Sequence, residues 1–292
     1  MKLAVGLPTF LGNPIDTAAV LDWARLADSA GFEAVAAHDK PNHHTWDPLA
    51  TLAAVATITS RVRLATTILI LPPRQEALVG KQAAVIDQAS GGRLDLGVAP
   101  GIRRDDYAAL GVPFEHRGAR FDRQLDALLA QWDGGSVGPA SVQDPRPPLW
   151  VGGYTEAALR RAARIGDGYL FGASGIAAMT RRVPEIRAAA ATAGHDGMPI
   201  AGLAYFALTS YPDAAADSER NLLAYYGSLH RPFDELVHCG DADTIAEAVD
   251  RYREAGLDRL YLFPTIPALE QLEGLAAGVL PRFAQPSVTA SR

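Results

Sequence analysis

The sequence alternates short runs of apolar, often β-branched residues with longer stretches in which apolar residues recur every three or four positions. The first pattern is typical of strands covered on both faces, and the second is typical of amphipathic helices. Because each run is followed by helical sequence, the alternation predicts one closed α/β barrel, a (β/α)8 TIM barrel. The eight predicted strands span residues 3–7, 32–37, 61–71, 94–98, 149–151, 168–171, 200–208 and 259–263.

An open, doubly wound sheet would show the same alternation of strands and helices. Its dinucleotide-binding form carries Gly-x-Gly-x-x-Gly after the first strand, whereas this chain has PTFLGN there. The barrel is therefore favoured. Its predicted helices span residues 16–31, 48–58, 75–88, 118–132, 155–165, 176–193, 214–229 and 243–255, and a last one ends near Arg282.

Residues 99–117 form an extended loop after the fourth predicted strand, with room for a short helix. Loops of this length in a compact fold usually carry function. The Gly- and Pro-rich stretch at 134–148 is interpreted as a surface excursion, because the strand-helix alternation resumes directly after it. We therefore predict a single barrel domain over residues 1–284, followed by a frayed tail at 285–292.

Composition excludes several classes of protein. Hydrophobic residues make up 48% of the chain and charged residues 21%, which excludes a disordered or collagen-like chain. The net charge of −6 provides no global attraction to nucleic acid or anionic lipid, and no apolar stretch approaches the roughly 20 residues of a membrane span. The single cysteine, Cys239, cannot form a disulfide within the chain. We expect a cytoplasmic protein with neither nucleic acid nor membrane as a partner.

Candidate site residues follow the strands, because the active site of such a barrel lies at the carboxyl ends of its strands. The second predicted strand leads into His38-Asp39-Lys40-Pro41-Asn42-His43-His44-Thr45-Trp46. Three histidines and an aspartate are metal-ligand types, but adjacent His43 and His44 do not readily share one ion. No metal is therefore predicted. The alternative to a functional segment is a solvated polar loop.

A second candidate is LWVGGYTEAALRRAA, in which Gly152 and Gly153 join a strand to a helix capped by Thr155. Backbone N–H groups at a helix N-terminus bind anions, and glycine allows close approach, so a phosphate is the expected ligand. Any tight turn can also use two glycines. The segment GVAPG after the fourth predicted strand has two similar interpretations, a tight turn or the floor of a cofactor pocket. The neighbouring Arg103 and Arg104 are either exposed to solvent or in contact with a polyanion.

Several segments, in order, resemble the bacterial luciferase-like superfamily of flavin- and deazaflavin-dependent oxidoreductases. The most specific is RVRLATTILILPPRQEALVGKQAAVIDQASGGRLDLGVAPG, with its apolar strand, Pro/Arg turn, Ile-Asp pair and Ser-Gly-Gly-Arg. Supporting segments are GFEAVAAHDK, LWVGGYTEAALRRAARIGDGY and CGDADTIAEAVDRYREAGLDRLYL. The resemblance covers nearly the whole chain and implies a barrel that holds a flavin-like ring at its mouth.

The resemblance implies roles for residues that match the family's positions. Asp39 and Lys40 match a pair that meets ring and substrate, although Lys40 stands where family members often have histidine, so His38 or His44 is an alternative proton-transfer group. The implied catalytic residues are Asp39, Lys40 and His44, and the implied substrate-binding residues are His38, Trp46, Tyr205 and Phe206. The implied cofactor-binding residues are Thr66, Thr67, Ile68, Pro100, Gly101, Asp105, Val151, Gly152 and Gly153.

The family often places a non-prolyl cis peptide against the ring, and its position here is Thr67-Ile68. Asp39 with Trp46 nearby is more similar to the deazaflavin members, so we predict hydride transfer between coenzyme F420 and a small organic substrate. An FMN-dependent monooxygenase is the alternative. Other candidates are a non-catalytic flavin-binding protein and a cofactor-free aldolase that uses Lys40 as a Schiff base. The apolar first three helices predict a homodimer, with Leu52, Ala53, Val55 and Ile58 in the contact or the core.

Overall fold

The structure, a computed structural model, describes residues 1–135, 138–229 and 231–283. The predicted tail at 285–292 lies outside these residues. In the described part of the chain, ten strands form one sheet in which every pairing is parallel. The strands are β1 (Lys2–Gly6), β2 (Ala34–Ala37), β3 (Arg63–Thr66), β4 (Leu69–Ile70), β5 (Leu94–Ala99), β6 (Leu149–Gly152), β7 (Gly168–Ala173), β8 (Ile200–Leu208), β9 (Val237–Gly240) and β10 (Arg259–Pro264).

The sheet closes on itself because β10 pairs with β1 on one side and with β8 on the other. The strand predicted at 61–71 is interrupted, since β3 and β4 are separated at Thr67, and β4 pairs with the end of β5. The peptide bond Thr67-Ile68 is cis, which confirms its predicted position. With β3 and β4 taken as one barrel strand and β9 beside the barrel, the predicted (β/α)8 fold is confirmed.

The sequence does not predict the short strand β9. Four residues that include His238 and Cys239 carry too little apolar alternation to indicate a strand. It pairs with the C-terminal half of β8, from Tyr205 opposite Val237 to Leu208 opposite Gly240. The chain therefore has an extra strand at the end of the barrel where the site is expected.

The helices follow the predicted intervals, except for a short helix at Phe233–Leu236 that was not predicted. Helix α1 begins after Asp16, whose carboxylate accepts hydrogen bonds from Ala18 N at 2.9 Å and Ala19 N at 3.3 Å, and ends at left-handed Gly31. No helix among the described residues is long and apolar enough to cross a membrane. The remaining helices are α2 (Pro48–Ala56), α3 (Glu76–Ser90), α4 (Arg104–Ala109), α5 (Arg117–Trp132), α6 (Glu156–Ile165), α7 (Ile176–Thr192), α8 (Ala214–Tyr226), α9 (Phe233–Leu236), α10 (Ala242–Glu254) and α11 (Leu269–Gly278).

Apolar residues form two layers, one inside the barrel and one between the barrel and the helices. Successive side chains of a strand point to opposite faces, so Leu203 and Tyr205 of β8 lie in the inner cluster, whereas Ala204 and Phe206 lie in the outer one. All nine residues of β8 are buried. The strand therefore packs on both faces, as expected of a parallel strand covered by helices.

The segment with the family's Ser-Gly-Gly-Arg pattern forms structural contacts outside the barrel. Arg93 donates hydrogen bonds to the carbonyl oxygens of Ala56 at 3.1 Å, Thr59 at 2.8 Å and Val62 at 2.7 Å, at the end of α2 and the loop after it. The fully buried carboxylate of Asp87 accepts hydrogen bonds from the backbone of residues 142 and 143. These groups satisfy backbone polar atoms that would otherwise be unpaired.

The opposite end of the barrel, where the strands begin, contains a buried ion cluster. Asp95 accepts hydrogen bonds from Arg259 Nη1 at 2.6 Å and from Arg63 Nη2 at 2.6 Å. Arg259 also reaches Glu33 at 3.1 Å and lies over the Trp150 ring. The side chain of Asp95 is 3% exposed, so its charge depends on these two guanidinium groups for compensation.

We predict that Asp95→Asn lowers the free energy of unfolding by about 3–5 kcal/mol, because it leaves two largely buried guanidinium groups without their carboxylate. Urea unfolding followed by circular dichroism measures the change. The control is Asp22→Asn, which removes an exposed ion pair with Arg25 and is expected to cost less than about 1 kcal/mol. Equal losses in the two variants would contradict a structural role for the cluster.

Candidate active site

A cavity of about 420 Å³ opens at the C-terminal ends of the strands, where the barrel fold places active sites. Its size is that of a small-molecule site. Residues that follow β2, β3, β5 and β6 line it, together with parts of β7, β8 and α8. The predicted site residues that line it are His38, Asp39, Lys40, Thr67, Ile68, Pro100, Gly101, Gly152, Gly153 and Tyr205.

Six predicted site residues lie outside the cavity lining. Phe206 and Val151 are buried in the outer apolar layer, because alternate residues of β8 and β6 face the helices. Thr66 is buried, and its hydroxyl bonds Gly97, donating to the carbonyl at 2.7 Å and accepting from the amide at 2.8 Å. Phe206, Val151 and Thr66, which were predicted as ligand contacts, therefore lie behind the cavity wall.

The other three residues lie in the loop after β2 and in α4. His44 is exposed, and Trp46 is half-buried with its backbone N–H donating to the Thr9 carbonyl at 3.1 Å. Asp105 accepts a hydrogen bond from Asn42 Nδ2 at 2.5 Å outside the cavity. The neighbouring Asp106 lines the cavity instead, and burial raises the pKa of its carboxyl group.

The His38 ring lies deep in the barrel mouth, stacked on Phe263 with ring centroids 3.7 Å apart. Its Nδ1 is 3.2 Å from the carbonyl oxygen of Thr67, an acceptor, which assigns the proton to Nδ1. Nε2 lies 3.5 Å from the hydroxyl of Tyr205, which lies 2.6 Å from the hydroxyl of Tyr226. Burial lowers the pKa of His38 to about 3, so the ring is neutral at physiological pH.

Asp39 is held in place by Arg74. Arg74 Nη2 lies 3.0 Å from both carboxylate oxygens of Asp39, and the Ile70 amide donates to one of them at 2.9 Å. Burial raises the pKa of Asp39 to about 6, against the opposing effect of Arg74. Because both oxygens are engaged, the arrangement suits a residue that fixes the start of the loop after β2. Arg74 also reaches Asp47, the N-cap of α2.

Lys40 and Arg103 reach the cavity from two different loops. Lys40 Nζ donates a hydrogen bond to the carbonyl oxygen of Tyr225, and Arg103 Nη1 donates to that of Tyr226 at 3.1 Å. Both carbonyls belong to the last turn of α8. Burial and the nearby Arg103 charge lower the pKa of Lys40.

The turn from β6 to α6 begins at Gly152 and Gly153, and we call these two residues the cradle. At both positions a Cβ atom would collide with a neighbouring side chain. A Cβ atom on Gly152 would lie 2.3 Å from Ile68 Cδ1, and one on Gly153 would lie 2.6 Å from Ala158 Cβ. Gly153 also has a φ of 149°. Thr155 Oγ1 caps α6 by accepting a hydrogen bond from Ala158 N at 3.3 Å. The N-terminus of α6 thus faces the cavity, an arrangement that suits an anion.

The N-terminus of a second helix, α5, reaches the same cavity through Arg117 and Gly118. No side chain caps this end of the helix. Arg117 donates through Nε to the Gly101 carbonyl at 3.1 Å and lies over the Phe114 ring. Within residues 1–135, 138–229 and 231–283, no carboxylate lies within 4 Å of its guanidinium group. Arg161, in contrast, is paired with Asp122 at 2.5 Å.

The lining also contains a buried polar atom without a partner. In the described structure, the hydroxyl of Thr67 has no hydrogen-bond partner, although it lies at the cavity wall. Buried hydroxyl groups are normally paired, so this one is suited to a ligand. The described residues contain no group of three or more His, Cys, Asp or Glu side chains that could hold a metal ion.

Sequence reasoning missed Asp106, Arg117, Tyr225 and Tyr226 as lining residues. The two tyrosines end a helix that follows the seventh predicted strand, and nothing in their local pattern indicates which way they face. Arg117 had a usable signal, since it is the last residue of a long predicted loop and directly precedes a predicted helix.

Comparison with known proteins agrees with this architecture. A family model described as luciferase-like monooxygenase matches residues 1–238. The chain belongs to this family. An FMNH2-dependent dimethylsulfone monooxygenase of Pseudomonas putida is 30% identical over 197 residues, which cover 59% of this luciferase-like chain and 53% of that protein. The chain spans about half the length of the curated relatives that it matches.

Solved structures share the fold of this luciferase-like protein. The monooxygenase RslO1 of Streptomyces bottropensis superposes with a TM-score of 0.86 at 23% identity, covering 97% of this chain and all of that one. The coenzyme F420-dependent tetrahydromethanopterin reductase of Methanopyrus kandleri superposes with a TM-score of 0.79 at 19% identity, covering 97% of this chain and 99% of the reductase. The resemblance inferred from the sequence is thus confirmed, and with it membership in a family of oxidoreductases.

We predict that the buried neutral His38 makes the protein sensitive to acid. Its folded pKa of about 3 lies below the ordinary value of 6.5, so below pH 6.5 the unfolded chain binds a proton that the folded chain does not. This contribution is complete above pH 6.5 and decreases as the pH falls, by about 2 kcal/mol at about pH 5. Urea unfolding at about pH 7 and 5 should show a smaller loss in His38→Gln than in wild type. The control is His44→Gln, in the exposed loop, which should lose as much as wild type.

Proposed function

We propose that this chain is an oxidoreductase that transfers a hydride between coenzyme F420 and a small organic substrate. The observation that carries the proposal is the convergence of two helix N-termini, those of α5 and α6, on one cavity with Arg117 beside them. Helix N-termini and guanidinium groups attract anions, so the cavity offers more positive charge than a single phosphate needs. A deazaflavin with a phosphate and a tail of glutamate carboxylates matches that surplus.

The fused ring would occupy the apolar part of the cavity, beside Ile68, Leu170 and Leu203. The Thr67 hydroxyl is available to a polar atom of the ring, and Gly152 and Gly153 would receive the phosphate. When bound, the deazaflavin supplies hydride transfer, which is the chemistry of the cofactor. The chain contributes the position of the ring, the exclusion of water and the charges around the substrate.

The second candidate is an FMN-dependent monooxygenase. The observation in its favour is the 30% identity to the FMNH2-dependent dimethylsulfone monooxygenase over more than half of this chain. FMN shares the ring and the first phosphate, so the cradle at Gly153 serves both cofactors, whereas the charge at Arg117 goes beyond what FMN requires. A cofactor-free reaction through Lys40 would instead be revealed by borohydride trapping with a carbonyl compound.

Fluorescence titration of the purified protein with coenzyme F420 and with FMN tests the proposal. We expect F420 to bind more tightly, and Arg117→Gln to weaken F420 by about tenfold while FMN changes less, because the tail carboxylates lose a charged partner. Tighter binding of FMN, or equal effects of Arg117→Gln on both cofactors, would contradict F420 as the cofactor. Retained F420 without turnover across a substrate panel would indicate a non-catalytic binding protein.

Gly153→Asp tests the cradle itself. The added carboxylate repels the phosphate, and its Cβ would collide with Ala158, so affinity for either cofactor should fall by at least about a hundredfold. The matched control is Gly194→Asp, at a turn with a φ of 81° where an added Cβ would meet no atom within 4 Å, away from the cavity lining. Cofactor affinity that survives Gly153→Asp would refute the cradle.

We also propose that the protein forms a homodimer. The contact surface that we propose lies on α3 and does not contain Leu52 or Val55, which the sequence analysis named. Leu52 and Val55 are fully buried in the core and leave no contact surface. On α3, Leu78 is 59% and Val85 47% exposed, and their seven-residue spacing places them on one face. Val142, 56% exposed, is joined to the same helix through the hydrogen bond between its amide and Asp87.

If this face joins two copies, the double variant Leu78→Lys and Val85→Lys should sediment as a monomer, because it places charges in an apolar contact. Leu223→Lys on α8 is the control, since Leu223 is exposed on another face and should leave the sedimentation coefficient unchanged. Sedimentation velocity separates the two forms. A double variant that stays a dimer would exclude the α3 face.

A further inference from the structure

The side chains of Lys40 and Arg103 both line the cavity, on a part of its wall away from the turn with Gly152 and Gly153. Lys40 comes from the loop after β2, and Arg103 precedes α4 in the loop after β5. Both contact the last turn of α8, which follows β8, whereas the cradle follows β6, two strands earlier in the sheet order. Each cation also lies 5.1 Å from the centroid of a tyrosine ring, Lys40 over Tyr225 and Arg103 over Tyr226. We call Lys40 and Arg103 the cationic pair.

The cationic pair has no carboxylate in direct contact. In the described part of the chain, neither side chain has a carboxylate oxygen within 4 Å. Their hydrogen-bond acceptors are the two α8 carbonyls, and a helix C-terminus supplies only about half of one negative charge. Asp105 and Asp106 act on Lys40 from farther away. The side chain of Asn42 donates a hydrogen bond to Asp105, and its backbone N–H donates one to Asp106. Two positive charges therefore face the cavity without a carboxylate in direct contact.

The pair also keeps donors for a ligand. Lys40 uses one N–H on the Tyr225 carbonyl and has three in all, and Arg103 uses one of its five on the Tyr226 carbonyl. A guanidinium group and an ammonium group that line the same cavity can donate hydrogen bonds to the two oxygens of one carboxylate. Partly buried cations gain most from an anion when water is excluded, and both residues line the cavity.

We propose that the cationic pair binds a carboxylate of the substrate, so that the protein acts on small organic acids. This inference rests on the proposed function, because it assigns the part of the cavity beyond the cradle to the substrate. The three tyrosines at this wall, Tyr205, Tyr225 and Tyr226, then surround the uncharged remainder of the acid. Neutral analogues of the same shape lose the charged contact and bind weakly.

The test compares matched anionic and neutral probes, namely benzoate with benzamide and hexanoate with hexanamide. Calorimetric titration measures their binding to the protein alone and to the protein loaded with whichever cofactor binds. We expect each acid to bind about tenfold or more tightly than its amide at low salt, and the preference to weaken as salt is added. The variants Arg103→Gln and Lys40→Met should each reduce the preference to about twofold or less.

The control variant is Arg104→Gln, next to Arg103, whose exposed side chain pairs with Glu115 outside the cavity. It should keep the full preference for acids. Circular dichroism, measured in parallel, shows that each variant is folded. The inference would be overturned if acids and amides bound equally, or if neither bound. It would also be overturned if the preference for acids survived both Arg103→Gln and Lys40→Met. Cofactor binding without a preference for acids rejects this inference alone, whereas a preference for acids without affinity for F420 or FMN rejects the proposed function instead.

Discussion

Closure of the parallel sheet is the constraint on which the site depends. Strand β10 pairs with β1 and with β8, and this double pairing arranges the loops that follow the strands around one opening. Without it, the loop that carries Lys40 and the loop that carries Arg103 would not meet the end of α8. The His38 ring shows the same dependence, because its stacking partner Phe263 comes from β10, the last strand of the chain.

Two of the residues that reveal the family, Asp87 and Arg93, lie away from the cavity. Arg93 binds carbonyl groups at the end of α2, and Asp87 binds the backbone of a surface excursion, both on the outside of the barrel. Their pattern is specific because each must satisfy several backbone groups at fixed positions. The resemblance therefore indicates the scaffold strongly, whereas the choice of cofactor and substrate depends on less regular loops.

Local pattern predicted much of this molecule. The alternation of strands and helices, the ends of α1 at Asp16 and Gly31, and the glycines at 152 and 153 all depend on signals within a few residues, whereas the cis bond at Thr67-Ile68 was implied by the family resemblance. What it could not predict depends on direction or on distant partners. Because β8 is apolar throughout, nothing in its sequence shows that Tyr205 points inward and Phe206 outward.

Distant partners explain the other differences. Asp39 has the residue type of a catalytic acid, but its partner Arg74 lies 35 residues away and occupies both carboxylate oxygens. The direction of Tyr225 and Tyr226 depends on where α8 packs at the rim. Asp105 and Asp106 are adjacent and chemically identical, and only the turn of α4 decides which of them faces the cavity.

The ion cluster around Asp95 has a consequence for the history of such a protein. It joins β3, β5, β10 and the residue before β2 at the end of the barrel opposite the cavity. The stabilising ion cluster and the candidate active site thus lie at opposite ends of the barrel. Substitutions at the rim leave the contacts of the Asp95 cluster unchanged, so the substrate preference can change in evolution while the barrel stays folded.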